Sequence, residues 1–464
     1  MRKRSIYYLL YNCLLALGSP FVAAYLMQRY LSGKSKPGWR ERWGHLPEAM
    51  RWTPTSKPRI WIHAVSAGEV VAAVPILREL RSRLPDHEML LSTITQAGME
   101  MAQQQATPFV DSLFYFPFDL PWVARRVVHF LRPRMFVSLE SEMWPNLLHE
   151  LKRQNATTVM VNGRISVKTA RKANSFSGNL FRWMLSNMDR LLMQSAADAE
   201  RIRAVGGGLM EPGRVAVLGN SKFDQEIEHL SLEETIALRR ALKLPDDAPV
   251  FVAGSTRSSE EEAQVLAAYK TMREAFPELC LLIAPRQIDR AEELADAMRA
   301  AGLSPIRKTQ SSEAATPVRH LILDTMGELA NVYTIGVFAF VGNSFDPVVK
   351  GGGQNLLQPL AHGKAVLFGP RTATIRSEVA LTTEAGVGFE VENGDKLAEF
   401  GLRLLRDEGL RHEIEVHALD LIAANRGVSA RYAEAVAAML GDGYLPFDRK
   451  HGPPIPSLSA RPNE

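Results

Sequence analysis

The sequence predicts an α/β protein of two doubly wound halves, each built on a parallel sheet, preceded by one apolar helix. Three observations predict it. From residue 59 onward, short apolar runs alternate with amphipathic stretches, as in successive βα units. The alternation pauses near residues 219–230 and then restarts. Ahead of it all, residues 5–28 carry no charge.

Composition bounds the rest. A chain of 464 residues is too long for one ordinary core. Its 46% hydrophobic and 23% charged residues are the balance of a globular protein. A net charge of +4 and a pI near 9.0 suit anionic small molecules or an anionic membrane surface. That mild excess is no nucleic-acid signature. Cys13 and Cys280 are the only cysteines, too few for a disulfide framework or a cysteine metal site, and consistent with a reducing cytosol. No short internal repeat is visible.

The twenty-four uncharged residues 5–28 follow a basic start. As a helix they would run about 36 Å, enough for a bilayer core. Tyr7, Tyr8, Tyr11, Tyr25 and Tyr30 sit toward the ends, as interface anchors do. Asn12, Gly18 and Pro20 argue against a straight span. The length of the segment, and the lack of a clean small-residue cleavage site, separate it from a signal peptide. An uncleaved anchor over residues 1–32 is expected, either spanning or lying in the membrane. Residues 33–58 are basic and carry Trp39, Trp43 and Trp52. They suit either headgroup contact or an arm packed on the first domain.

In the first half, strands are expected at 59–65, 89–94, 113–116, 135–139, 158–161, 190–193 and 215–218, with helices at 69–83, 121–131, 145–154 and 196–205. Pro145 suits the first turn of its helix. In the second half, strands are expected at 250–253, 279–284, 319–323, 337–341, 364–368 and 386–390. Helices belong at 232–242, 259–275, 288–301, 328–334, 355–362 and 396–407, with further helical pattern through 409–440. The domains expected are 33–225 and 226–445, with a cleft between their carboxyl-end rims, and the Pro-, Ser- and Arg-rich residues 446–464 form a tail.

Loops at the carboxyl ends of such strands carry the chemistry of these folds. The first strand exits through Ser66-Ala67-Gly68-Glu69. Taken alone, Ser66 and Glu69 fit a capping box, which would fold the carboxylate back onto the helix start. A second acidic exit follows at Glu140-Ser141-Glu142. Carboxylates brought together there would raise at least one pKa, as a general base requires, while helix N-termini oppose that shift.

In the second half, small-residue loops follow strands. Ala253-Gly254-Ser255-Thr256-Arg257 leads into Glu260-Glu261-Glu262. Pro285-Arg286 places a guanidinium at a strand exit, suited to a phosphate. Asp324 to Leu329 forms a strand-to-helix junction, and Gly351-Gly352-Gly353-Gln354-Asn355 opens a helix whose free N–H groups could take an anion. The glycines match neither the Walker pattern nor GxGxxG. Each loop alone reads as a turn, and together they point to nucleotide phosphate. HExxH, cysteine–histidine and GxSxG patterns are missing, so neither a metal nor an organic cofactor is indicated. Histidines such as His63 and His362 read as core or surface residues.

These stretches together resemble the Kdo transferases, GT-B glycosyltransferases that attach 3-deoxy-D-manno-octulosonic acid (Kdo) to lipid A precursors. The matching pieces are 61–69 (WIHAVSAGE), 140–146 (ESEMWPN), 162–166 (NGRIS), 219–224 (GNSKFD), 253–256 (AGST), 285–286, 324–329 (DTMGEL), 352–359 (GGQNLLQP) and 368–370. The match is collinear to about residue 430. The resemblance implies inverting transfer from CMP-Kdo, with Glu69 as general base and Glu140 and Lys222 stabilising the transition state. It implies that Pro285, Arg286, Met326, Gly327, Glu328, Asn355, Leu356, Leu357 and Gln358 hold CMP. It also implies an inner-membrane protein with a single N-terminal anchor and cytoplasmic catalytic domains. The family pattern G-G-H-N-x-x-E-P departs here at Gln354 and Gln358, the latter standing where an acid would bind the ribose. Arg257 and Gln287 replace histidines, and Ser141 replaces a threonine. These changes bear on donor affinity and identity more than on fold. A GT-B transferase of another sugar nucleotide, or a catalytically weak membrane-bound binding protein, remain as alternatives.

Overall fold

The computed structural model describes residues 6–31, 37–171, 175–313, 317–346 and 352–440. They fall into two compact units. The described residues up to Gln225, with those from Arg426 onward, form the first unit; Glu226–Asn425 form the second.

The first unit holds seven parallel strands: β1 (Arg59–His63), β2 (Glu88–Thr93), β3 (Ser112–Tyr115), β4 (Met135–Leu139), β5 (Thr157–Gly163), β6 (Arg190–Met193) and β7 (Val215–Val217). Their order is β3-β2-β1-β4-β5-β6-β7. The chain therefore winds outward from β1 in one direction and from β4 in the other. β1 and β4 lie side by side in parallel register, His63 opposite Ser138, and their carboxyl ends flank the point where the order reverses. Every residue of β1, β4 and β5 is buried, as expected of strands covered on both faces. Alternation divides the core: Trp61 packs on Phe114 and Phe136, while Ile60 and Ile62 join Val70, Ala73 and Leu77 of the following helix.

Helices of this unit include α1 (Ile6–Leu31), α2 (Ala67–Arg83), α3 (Pro121–Leu131), α4 (Pro145–Arg153) and α5 (Phe176–Leu185). The tryptophans after α1 pack on the domain. Trp39 and Trp43 meet Phe118 edge-on, and Arg132 lies over the Trp52 ring.

The second unit also holds seven parallel strands: β8 (Val250–Thr256), β9 (Cys280–Pro285), β10 (Ile306–Arg307), β11 (His320–Ile322), β12 (Phe338–Val341), β13 (Ala365–Phe368) and β14 (Gly388–Glu390). The order is β10-β11-β9-β8-β12-β13-β14, with its reversal between β8 and β12. Its helices used below are α6 (Ser259–Ala275) and the short α7 (Leu357–Ala361).

The second domain does not continue to residue 445 as expected. The chain returns to the first unit at Arg426, and α8 (Val428–Ala438) packs there against α2. Local pattern could not reveal this, because α8 is held by groups about two hundred residues away. Asp224 accepts the N–H groups of Gly427 and Ser429 at the start of α8. Tyr432 donates its hydroxyl hydrogen to Gly219 O at 2.8 Å, and Arg431 donates to Leu218 O. The expected tail, 446–464, lies outside the described residues, as do the ends of the 1–32 segment.

Candidate active site

The exit of β1 is the first feature of the site. Ser66 precedes α2 with extended backbone, yet its hydroxyl does not cap the helix. Glu69 bends back one residue further than a capping box requires. Its Oε2 accepts the N–H of Val65 at 2.8 Å, and its Oε1 accepts the Ser66 hydroxyl at 3.2 Å. A complete capping box does occur elsewhere, between Ser231 and Glu234. Neither bond of a capping box forms at Ser66, yet the Glu69 carboxylate does turn back onto its own loop, where the strand exit positions it.

The exit of β4 brings the other acids. Glu140 has a left-handed backbone, φ 52°, and its N–H donates to Val161 O. A non-glycine residue held there stores strain that its surroundings must sustain. Arg164 pairs with the Glu140 carboxylate at 3.4 Å. Burial pushes Glu69 up to about 8, helped by the charges of Glu140 and Glu142, against the Val65 and Ser66 bonds. Glu142 is also raised, first by burial and then by Glu140. The structure therefore assembles a like-charge group at the switch point of the first sheet.

Lys222 lies in the turn Ser221–Asp224. The turn is fastened to its neighbours by both its side chains and its backbone. Ser221 Oγ donates to Ala72 O of α2 at 2.9 Å, and Ser221 N–H donates to Asn162 Oδ1 at 3.1 Å. Asn162 is itself left-handed, φ 50°, at the end of β5. The turn that carries Lys222 is thereby bonded to the helix that carries Glu69.

His63 is a core residue. It is fully buried against Phe116, with ring centroids 3.8 Å apart, and burial holds its imidazole down to about 3.

In the second unit, Pro285 ends β9 and is buried, while Arg286 beyond it is exposed with its N–H on Thr256 O at 2.7 Å. After β11, Met326 is exposed and Gly327 is left-handed, φ 85°. Glu328 receives Lys308 Nζ at 2.6 and 2.8 Å, along with the Thr325 hydroxyl. Burial would raise Glu328, and Lys308 and Thr325 more than offset this, leaving it below its ordinary value.

The glycine loop serves close packing more than it offers free donors. Gly352 has φ 91°, and a Cβ there would come within 2.5 Å of Arg371 O. Gly353 N–H donates to Asn343 O. Asn355 Oδ1 accepts the Leu357 N–H at 3.0 Å, and α7 begins two residues later than the expected 355–362 helix. Leu356 and Leu357 are buried, with Gln358 half-buried between them and Pro359. Gly351 lies outside the described residues. Among the described residues, no three His, Cys, Asp or Glu side chains are grouped to hold a metal ion.

Residues 37–225 match the family model for 3-deoxy-D-manno-octulosonic-acid transferase (kdotransferase). A 3-deoxy-D-manno-octulosonic acid transferase of Haemophilus influenzae is 30% identical over 437 residues, covering 93% of this chain and 98% of that one. One from Bordetella pertussis is 30% identical, covering 84% and 89%. This chain belongs to the Kdo transferase family. It is a glycosyltransferase of GT-B fold. That fold is shared with a glycosyltransferase of Rickettsia africae, TM-score 0.57 at 12% identity, covering 83% of this chain and 100% of that one. A putative UDP-N-acetylglucosamine 2-epimerase of Listeria monocytogenes also shares it, TM-score 0.57 at 14% identity, covering 85% and 98%.

Two groups that organise these Kdo-transferase loops were missed in the sequence. Arg164, within NGRIS, is the ion partner of Glu140. Glu261 is fully buried, and its carboxylate accepts the N–H groups of Arg257, Asn343, Ser344 and Phe345 at 2.8–3.2 Å. It thus fills the switch point of the second sheet, between the exits of β8 and β12. The acidic run 260–262 was the available signal. Its neighbour Glu262 pairs with Arg290 at 2.8 Å.

Proposed function

We propose that this glycosyltransferase moves Kdo from CMP-Kdo to a lipid A precursor, with inversion, in lipopolysaccharide biosynthesis. The observation that carries the proposal is Glu69, a carboxylate raised to about 8 at the switch point of the first sheet. In this reading Glu69 takes the proton from the acceptor sugar hydroxyl as that oxygen bonds to the anomeric carbon. The bond from the anomeric carbon to the CMP phosphate breaks, and CMP leaves with the electron pair. Lys222 and Arg164 supply positive charge near the carboxylates, and Glu140 faces the developing positive charge on the sugar ring. Arg286, the 326–328 turn and the 355–358 segment hold CMP. Arg286 supplies the charge-assisted bonds to its phosphate.

In this reading the acceptor is a lipid, the protein sits at the inner membrane with its catalytic units on the cytoplasmic side, and α1 supports the membrane association. Residues 6–28 form one helix long and apolar enough to cross a membrane. The deciding experiment is transfer from CMP-Kdo, generated in situ, to a tetraacylated lipid A precursor, comparing wild type with Glu69→Ala. Product from wild type and none from the variant supports the assignment. Undiminished product from Glu69→Ala sinks the base, and no product from wild type sinks the donor–acceptor pair.

A further inference from the structure

α1 is tied to the first unit at both of its ends. Near its start, Tyr8 is buried and stacks on His149 of α4, with ring centroids 4.1 Å apart. Tyr11 donates its hydroxyl hydrogen to Asp119 Oδ2 at 3.0 Å, and Asn12 Nδ2 donates to Asn146 Oδ1 at 2.9 Å. Asp119 in turn accepts the N–H groups of Asn146 and Leu147 at the start of α4, so the joint is continuous with the domain. Near the other end, Tyr30 lies 5.0 Å from Trp39, and Trp39 lies 5.8 Å from Phe118. Phe118 and Asp119 are neighbours in the chain. Both ends of the helix are therefore fastened around one stretch of the same folded unit.

From Asn12 to Tyr30 an α-helix rises about 27 Å, close to the roughly 30 Å of a hydrocarbon core. A spanning helix would need one of these ends on the far side of the bilayer, away from the unit that holds it. Crossing would break the Tyr11–Asp119 and Asn12–Asn146 bonds and leave those polar groups to be satisfied in lipid. The enclosed side chains of the helix cluster toward its two joints. Tyr8, Tyr11, Leu15, Leu26 and Tyr30 are the more enclosed positions, at helical spacing. Ile6, Leu10, Leu14, Leu17 and Phe21 are exposed along one face, with Leu17 76% and Phe21 82% exposed, and Leu9, Val22 and Met27 are exposed beside it. Beside the Asp119 joint, the first turn of α3 carries Trp122, 58% exposed, followed on the same face by exposed Arg125. Arg40, next to Trp39, is exposed as well.

We infer that α1 lies in the plane of an anionic bilayer surface, with Ile6, Leu10, Leu14, Leu17 and Phe21 among the acyl chains. Trp122, Arg40 and Arg125 meet the headgroups. The two joints hold the helix beside the unit, and an exposed indole and guanidinium groups flank it, as at a headgroup layer. The inference rests on the membrane location proposed above, and the experiment separates the two.

The full-length Cys13→Ser protein, carrying Ser5→Cys or Gln28→Cys, is bound to sealed phosphatidylethanolamine–phosphatidylglycerol vesicles with its catalytic units outside. It is then treated with a membrane-impermeant maleimide. Both cysteines are expected to react from the outside without detergent. Ser5→Cys reacting only after detergent would overturn the in-plane helix while leaving the membrane location standing. Failure of the protein to float with vesicles would overturn the location itself. In the wild-type background, Arg40→Gln with Arg125→Gln should weaken vesicle binding roughly tenfold. Unchanged binding would remove the headgroup contacts. A second copy covering the exposed face would instead give a Cys13–Cys13 cross-link in lipid-free wild type, since Cys13 is exposed on α1. That result would also overturn the inference.

Discussion

Glu69 Oε2 and the backbone N–H of Val65 are 2.8 Å apart, so a carboxylate on the first turn of α2 is bonded to the strand exit that precedes it. Among the described residues, Oε1 then meets only the Ser66 hydroxyl at 3.2 Å, a partner that can rotate away to admit a substrate hydroxyl. Turned back onto its own loop, the carboxylate keeps a fixed position before substrate arrives. Glu69→Gln preserves the Val65 bond and removes the base. Transfer should fall about 10²–10⁴-fold, with CMP binding measured by calorimetry unchanged. Equal loss of CMP binding would mean that Glu69 acts structurally.

The raised carboxyl sets the pH dependence. With Glu69 titrating near 8, kcat/KM should rise with pH and level off above that value. Glu142→Gln removes one of the negative charges that raise Glu69, so the rising limb should move to lower pH. Stability follows with the opposite sense. The folded protein holds the Glu69 proton more tightly than the unfolded chain, whose carboxyl titrates near 4.5. Between these values the folded state binds more protons, so this contribution is complete below about 4.5 and is lost as pH rises through about 8. Glu69→Gln should therefore gain stability relative to wild type as pH rises, measured by urea unfolding across that range.

The parts of the fold that follow local periodicity were legible in the sequence. Strands β1, β4, β6 and β9, buried on both faces, read as continuous apolar runs bounded by turns. The two-residue β10 was not legible, having too little pattern of its own. Helix Gln96–Gln105 also escaped, since its glutamine-rich face blurs the apolar period. The site was legible as separate acidic exits. Neither the order reversal that sets β1 beside β4 nor the return of α8 to the first unit has any local signature. Asp224 to Ser429 is a bond between residues whose types, read separately, predict only a turn and a cap.

Glu261 tests how far the second unit depends on one side chain. Its buried carboxylate satisfies four backbone donors from two loops. Glu261→Ala leaves those donors without a partner, at about 1–3 kcal/mol for each one that water cannot reach. A total loss of at least about 3 kcal/mol is expected in urea unfolding. Glu260→Ala, an exposed neighbour, should change stability by less than about 0.5 kcal/mol.

Asp224 joins stability to the site. It receives the N–H groups at the start of α8, two residues after Lys222. Asp224→Ala should cost about 1–2 kcal/mol as a lost helix cap. Because the same turn positions Lys222, kcat should fall while the KM for CMP-Kdo stays near wild type. Restoration by Asp224→Asn, whose side-chain oxygen can still accept, would separate capping from charge.

Gln358 stands, in the proposed donor site, where the resemblance implies an acid. An amide oxygen accepts from a ribose hydroxyl, and it does so without the charge that strengthens a carboxylate bond. The residue is half-buried on α7, where competition from water is reduced. Gln358→Glu should therefore tighten CMP binding about 3–10-fold, read directly by calorimetry. The gain should shrink as pH falls and the new carboxylate takes up its proton, which distinguishes a charge-assisted ribose bond from a general change in loop packing. Weaker CMP binding at every pH would show that the position does not meet the ribose and that the amide serves the packing of α7.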